Sequence, residues 1–235
     1  MEKKIFIAFV FLTANVCYGQ KSLDNHFDVT VVETDSVHIP RRYQDQANRD
    51  SIASNNPNQP HRALENYLLA IENPGITRIP EENLTNEVIK IKLLNGRILT
   101  LKREDEISDF VFVEFFKELR FLLFRVEWTE GFHYLLIDFI DGKQTKLIGH
   151  PVFSPDKKFM VSTNYGSPDE WVKNGFELYK ITGRGFKKIW VYDPMSWAPM
   201  NLVWISKNAL ISKNEVSSFE DPVYTRITIY ISKND

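Results

Sequence analysis

From Val88 to the C-terminus the apolar residues of this chain fall at every second position, in short runs separated by turn residues. Ile89, Ile91 and Leu93 alternate with Lys90 and Lys92, Asn95-Gly96 follows, and Leu99 and Leu101 run back. A period of two puts alternate side chains on opposite faces of a strand, and Asn-Gly supplies the positive-φ pair that a tight hairpin needs. Five more hairpins follow the same grammar. Phe110 to Phe116 and Arg120 to Trp128 flank Lys117-Glu118, Tyr134 to Phe139 and Gln144 to Ile148 flank Asp141-Gly142, and Pro151 to Thr163 folds about Ser154-Pro155-Asp156. Phe176 to Ile181 and Phe186 to Val191 surround Gly183-Arg184-Gly185, Leu202 to Ser212 is the sixth, and Arg226 to Ile231 ends the series. The expectation for residues 88–235 is an all-β repeat domain.

Turns that contain Gly begin near positions 95, 141 and 183, and turns of the other class fall near 117, 156 and 207. Each class recurs every ~40–50 residues, the spacing of four-stranded propeller blades. The pattern therefore predicts an antiparallel array of blade-like repeats, complete or incomplete. A plain meander folded into a barrel or sandwich gives the same hairpins and is the alternative. The first blade lacks its first half and the last stops after three strands. Phe27 to Val32 alternates well enough to close the array by pairing with Ile227 to Ile231.

Phe153-Ser-Pro-Asp-Lys-Lys-Phe159 resembles the Phe-Ser-Pro-Asp-Gly-Lys hairpin of WD-like propeller repeats, as in the Tol-system periplasmic propeller and its relatives. The resemblance implies that this turn joins the first two strands of a blade, with Tyr179-Lys180-Ile181 in the third and Phe186 to Val191 in the fourth. Lys157 stands where the family prefers Gly. The likeness spans residues 131–214 and speaks for architecture, not for an activity.

The N-terminus carries a different signal. Met1-Glu2-Lys3-Lys4 is basic, Ile5 to Val16 is mostly apolar, and Cys17-Tyr18-Gly19 precedes Gln20 with small residues at the positions a signal peptidase reads. That is the layout of a secretory signal over 1–19, with cleavage after Gly19, and the run is too short to span a bilayer. Lipid attachment at the single cysteine, Cys17, is the competing reading, disfavoured by the bulk of Val16 before it. Cleavage leaves a mature chain without cysteine, so no disulfide contributes and a packed core must. The formal net charge of −2 becomes slightly more negative once Lys3 and Lys4 are removed with Glu2, which argues against nucleic acid and anionic membranes as partners. Residues 20–60 are polar and read as a flexible N-terminal region. A short helix and linker fill 61–87: Asn58 is placed to cap, Pro60 suits the first turn, Leu64, Leu68 and Ile71 share a face with Tyr67, and Asn73-Pro74-Gly75 ends it. Asn83-Leu84-Thr85 fits a glycosylation acceptor, a pattern that also arises by chance.

Catalytic constellations are scarce. The five histidines, at 26, 38, 61, 133 and 150, are scattered, and His133 and His150 at strand ends are the two placed to meet a carboxylate around a metal. Convergence is not visible in the sequence, so no metal, cofactor or catalytic residue is assigned. Asp138 and Asp141-Gly142 fall short of a calcium loop, and Ser154 is accounted for by turn chemistry. Glu127 and Glu130 beside Trp128 are the carboxylates a glycan hydrolase would use. Aromatic loops are the stronger feature: Tyr165 and Trp171 in one, Tyr192, Met195 and Trp197 in the other. Loops on β scaffolds carry ligand sites, and rings with a polar handle suit carbohydrate or protein surfaces. The chain reads as an exported, periplasmic or extracellular, non-catalytic protein that recognises a protein or glycan of a bacterial envelope through those residues. A glycan hydrolase and an inhibitor of a secreted toxin are the alternatives.

Overall fold

Four antiparallel sheets take up the predicted hairpins. The computed structural model describes residues 23–24, 27–33, 60–72, 74–80, 87–103, 107–129, 131–164, 174–183, 185–194, 198–216 and 223–233. Within them the chain forms β1 (Phe27–Glu33), α1 (Pro60–Glu72), β2 (Ile76–Pro80), β3 (Glu87–Lys92), β4 (Ile98–Leu101), β5 (Ile107–Phe116), β6 (Phe121–Trp128), β7 (Gly131–Asp138) and β8 (Gln144–Leu147). There follow β9 (Pro151–Phe153), β10 (Phe159–Asn164), β11 (Gly175–Thr182), β12 (Gly185–Tyr192), β13 (Ala198–Ser206), β14 (Ala209–Val216) and β15 (Val223–Lys233).

The first sheet is β2-β3-β4, the second β5-β6-β7-β8, the third β9-β10-β11-β12 and the fourth β13-β14-β15-β1. The N-terminal strand completes the fourth sheet: Val29 lies opposite Ile231 and Val31 opposite Ile229. This is the pairing expected from the matched alternation of the two segments.

Three apolar clusters hold the sheets together, each between sheets consecutive in the chain. Ile89, Ile91 and Leu101 of the first sheet meet Phe112, Leu122, Phe124 and Ile137 of the second, with Leu68 of α1. Phe121, Leu123 and Leu136 of the second meet Met160 and Tyr179 of the third. Val161, Phe176, Leu178 and Trp190 of the third meet Val29, Leu210 and Ile229 of the fourth. Strand β6 is thus buried on both faces, which is why Phe121-Leu122-Leu123-Phe124 is apolar without interruption while peripheral strands alternate.

The hairpin turns, save the one between β6 and β7, sit on one rim of this stack. Leu94 N in the β3–β4 turn donates to Phe139 O in the β7–β8 turn at 2.9 Å. Lys143 in that turn reaches to within 3.3 Å of where a Cβ on Gly185, beside the β11–β12 turn, would stand. Phe27 at the start of β1 meets Phe159 at the start of β10 edge to face, 5.8 Å between centroids. Four of these tight turns use the left-handed region: Gly96 at φ 84°, Arg120 at 58°, Gly142 at 78° and Lys157 at 57°. A position in that region explains why the resembling repeats prefer Gly at 157. Ser154 is consumed by the same turn, its Oγ donating to Asp156 Oδ1 at 2.8 Å and accepting from Phe159 N at 2.9 Å. The opposite rim receives the ends of β2, β4, β6, β8, β10, β12 and β14, and segments 81–86, 102–106, 165–174, 193–197 and 217–222 depart from it.

Two expectations for residues 61–87 need correction. The stretch read as linker contains β2, which pairs with β3 through Thr77 opposite Lys90 and Ile79 opposite Val88. Its Thr, Arg and Pro content hid it. In α1, Leu64 and Leu68 do pack inward, but Ile71 is 55% exposed and Glu65 is fully buried. The helix is rotated so that a carboxylate, not Ile71, faces the sheets, and that carboxylate is fully engaged. Glu65 accepts from Phe112 N of β5 at 2.6 Å, from Arg62 at 2.9 Å, and from Arg78 of β2.

Candidate functional site

The loop-rich rim of the second sheet gathers most of the described polar and aromatic side chains that a site would use. They come from the β6–β7 hairpin, the end of β8 and the link into β9. Cross-strand register fixes their faces: Arg125 lies opposite Tyr134, Val126 opposite His133, Glu127 opposite Phe132, and Trp128 opposite Gly131. Directly opposed residues share a face, so two surfaces result.

On the face toward the first sheet, Trp128 and His133 pack with ring centroids 5.0 Å apart, and the Lys146 ammonium lies 5.7 Å from the indole centroid. Gly131 places no side chain against Trp128 from across the strand pair. Burial pushes the His133 pKa down to about 4, and nearby Lys146 adds to the effect, so the ring is neutral at neutral pH. Its Nδ1 is buried without a hydrogen-bond partner.

On the face toward the third sheet, Arg125 pairs with Glu127 and lies over the Phe132 ring, 5.4 Å from its centroid. Glu114 of β5 and His150 of the β8–β9 link meet beside them, Nε2 to Oε2 at 3.2 Å. Phe116 and Tyr134 stand edge-on to the imidazole, 6.3 and 5.8 Å from its centroid. His150 Nδ1 lies 3.1 Å from Pro151 O. The link that carries His150 is clamped. Ser162 Oγ accepts from Gly149 N and donates to Gly149 O, both at 2.8 Å. A Cβ on Gly149 would come within 1.7 Å of Thr163 O. Only glycine lets the link approach β10 that closely.

A third group lies where α1, β2 and β5 meet. Asp109 binds Arg62 at 2.8 Å and Arg103 at 3.3 Å, beside the Glu65 contacts above. Its guanidiniums are directed at carboxylates and at Phe110 O, so the cluster fastens the helix to the sheets.

Of the five residues singled out for binding, Tyr192 is described and is 8% exposed, stacked on Trp190 at 5.5 Å with an 8° angle between rings. It anchors the start of segment 193–197 from within the core. Tyr165, Trp171, Met195 and Trp197 lie outside the described residues, but the strand ends that bracket them, Asn164, Gly175, Tyr192 and Ala198, all end on the loop-rich rim. Glu127 is engaged by Arg125, while Glu130, Asn83 and Cys17 lie outside the described residues. Asp138 and Asp141 accept from Ile140 N at 2.7 Å and Lys143 N at 2.8 Å, as turn residues do. Among the described residues no three His, Cys, Asp or Glu side chains converge on a point, and no helix is long and apolar enough to cross a membrane.

The Glu114–His150 pair was not found from the sequence. The partners stand 36 positions apart, and the one available cue was a lone carboxylate inside the apolar run Phe110-Val-Phe-Val-Glu-Phe-Phe116. The arrangement offers contact chemistry: rings with charged groups at their edges, a neutral imidazole and one imidazole–carboxylate pair. The sequence matches no family model and no curated protein.

Proposed function

We propose that the chain is an exported binding protein of a bacterial envelope that recognises a protein or glycan with the loop-rich rim of a small propeller-like array. One observation carries the reading: all the short hairpin turns but the β6–β7 turn collect on one rim, and the longer connections, including those bearing Tyr165, Trp171, Met195 and Trp197, leave from the other. Scaffolds that hold rigid strands and vary the loops at one end place recognition there. At the same rim the half-buried Trp128 ring on one face of the β6–β7 hairpin, and the Phe132 and Tyr134 rings on the other, add aromatic groups suited to carbohydrate faces or to apolar protein side chains. The basic and apolar start supports export, and the resemblance to Tol-type periplasmic repeats supports the blade-like arrangement of the sheets.

The test compares recovery of partners from envelope extracts and of glycans from a defined array by wild type, Trp171→Ala, Trp197→Ala and Lys158→Ala. Lys158 lies at the β9–β10 turn, on the other rim, with its side chain 74% exposed. Loss of the same ligand in both tryptophan variants, with Lys158→Ala unchanged, is the expected result. Equal recovery by all four proteins would defeat the proposal.

A further inference from the structure

We propose that Asn95 is a site of spontaneous covalent modification, deamidation through a cyclic imide, and that the fold selects it over a second Asn-Gly pair. The chain holds two such pairs, Asn95-Gly96 and Asn174-Gly175. In each, the glycine amide nitrogen can attack the asparagine carboxamide carbon, because no β-carbon shields it. The new bond joins the glycine N to Cγ, the Cγ–Nδ2 bond breaks, and ammonia leaves with the proton of the glycine N–H. Water then opens the resulting succinimide at either carbonyl. The products are aspartate and isoaspartate, and in the second the backbone runs through the side-chain carbon.

The two pairs are equal in sequence and unlike in structure. Asn95 and Gly96 are exposed at the β3–β4 turn. Asn95 Oδ1 accepts from Arg97 N at 3.0 Å, a bond that folds the carboxamide back over the Gly96 peptide. The same N–H is placed to stabilise the oxyanion that attack creates on Oδ1. A Cβ on Gly96 would meet no atom within 4 Å, so nothing crowds the reacting groups. Gly96 N donates to Leu93 O at 3.0 Å, and local opening of the exposed tip frees it.

Around position 174 the restraints are greater. Asn174 is half-buried, and its Nδ2, the nitrogen that would leave, donates to Pro194 O at 2.9 Å. Gly175 is buried opposite Asn164 of β10, and a Cβ there would stand 2.1 Å from Tyr192 O. Attack at this pair requires β11 to part from its neighbours, a far less frequent opening than that of a turn. Conversion at 95 also reaches beyond its turn. Leu94 N donates to Phe139 O at 2.9 Å and the Arg97 guanidinium bonds Asp141 O, so this tip ties the first sheet to the second. Isoaspartate adds a backbone carbon between those two contacts and loosens the tie.

The test incubates the purified protein at mildly alkaline pH, folded and unfolded in urea. Both pairs are followed by peptide mapping with mass spectrometry and by enzymatic labelling of isoaspartate. In the folded protein Asn95 should convert at least about tenfold faster than Asn174, the ratio that about 1.4 kcal/mol of extra barrier at 174 gives. In urea the two rates should come together. Gly96→Ala, whose added Cβ meets no atom, should suppress conversion at 95 and leave that at 174 unchanged. A smaller ratio in the folded protein, a contrast that persists in urea, or conversion unslowed in Gly96→Ala would overturn the proposal.

Discussion

Replacing Glu65 by alanine removes one carboxylate from three donors at once. Phe112 N at 2.6 Å, Arg62 at 2.9 Å and Arg78 all lose their acceptor, at a side chain with no exposed surface. Deleting one partner of a buried pair costs about 3–5 kcal/mol, because the charge left behind stays buried. Here the loss falls toward the lower end. Arg62 keeps Asp109 at 2.8 Å and Arg78 keeps the same carboxylate at 3.9 Å, so neither guanidinium is stranded. The Phe112 amide is less fortunate, and an unsatisfied buried N–H alone costs about 1–3 kcal/mol. The expected destabilisation of Glu65→Ala is therefore about 3 kcal/mol. Glu65→Gln retains a carbonyl for Phe112 but turns an NH2 toward an arginine, and about 2 kcal/mol is expected from losing charge-assisted bonds. Urea unfolding at pH 7, followed by tryptophan fluorescence and far-UV circular dichroism, reads both values from midpoints at unchanged slope. If Glu65→Ala unfolds within about 0.5 kcal/mol of wild type, the range of ordinary surface substitutions, the helix is not held by this network and its assigned rotation is wrong.

Gly149→Ala should cost about 3 kcal/mol or prevent accumulation of folded protein, since its Cβ would stand 1.7 Å from a backbone oxygen that cannot move aside. Gly96→Ala, by contrast, meets no atom within 4 Å and should lose only about 1 kcal/mol to left-handed backbone strain, a difference visible in paired urea midpoints. His133 gives a signed pH dependence. Its folded pKa is depressed to about 4 from the ordinary 6.5, so as pH falls through that window the unfolded chain takes up the proton first and the fold loses stability. The ceiling is about 3 kcal/mol at ~1.4 per pH unit, and about half that remains after allowing for the part of the ring that water reaches. Urea midpoints at pH 7 and 4.5 should converge in His133→Gln relative to wild type; an unchanged pH slope in the variant would contradict the assignment.

Much of the fold was legible because turns and alternation are local. Asn95-Gly96 and Asp141-Gly142 sit in turns with glycine at positive φ, as their chemistry requires. The β1–β15 pairing was legible for a related reason: Val29, Val31, Ile229 and Ile231 each mark a buried face, and one register brings those faces together. Strand β2 was hidden because Thr77, Arg78 and Pro80 carry no apolar alternation. Its pairing depends on β3 and on the Glu65 carboxylate. Burial of Tyr192 was equally hidden, since nothing local separates a ring stacked on Trp190 from one facing solvent. Glu114 and His150 meet only because the link between two sheets crosses from β8 to β9 and returns the imidazole to β5. Contacts of that kind are set by how sheets stack, and no period within a strand encodes them.

Photo-crosslinking tests the central claim, that recognition belongs to the loop-rich rim, most directly. A benzophenone side chain is placed at position 171 in one protein and at position 158, on the turn rim, in another, and both are irradiated in envelope extract. Adducts to a shared partner from position 171 and none from 158 are predicted. Adducts from 158 alone, or equally from both, would contradict it.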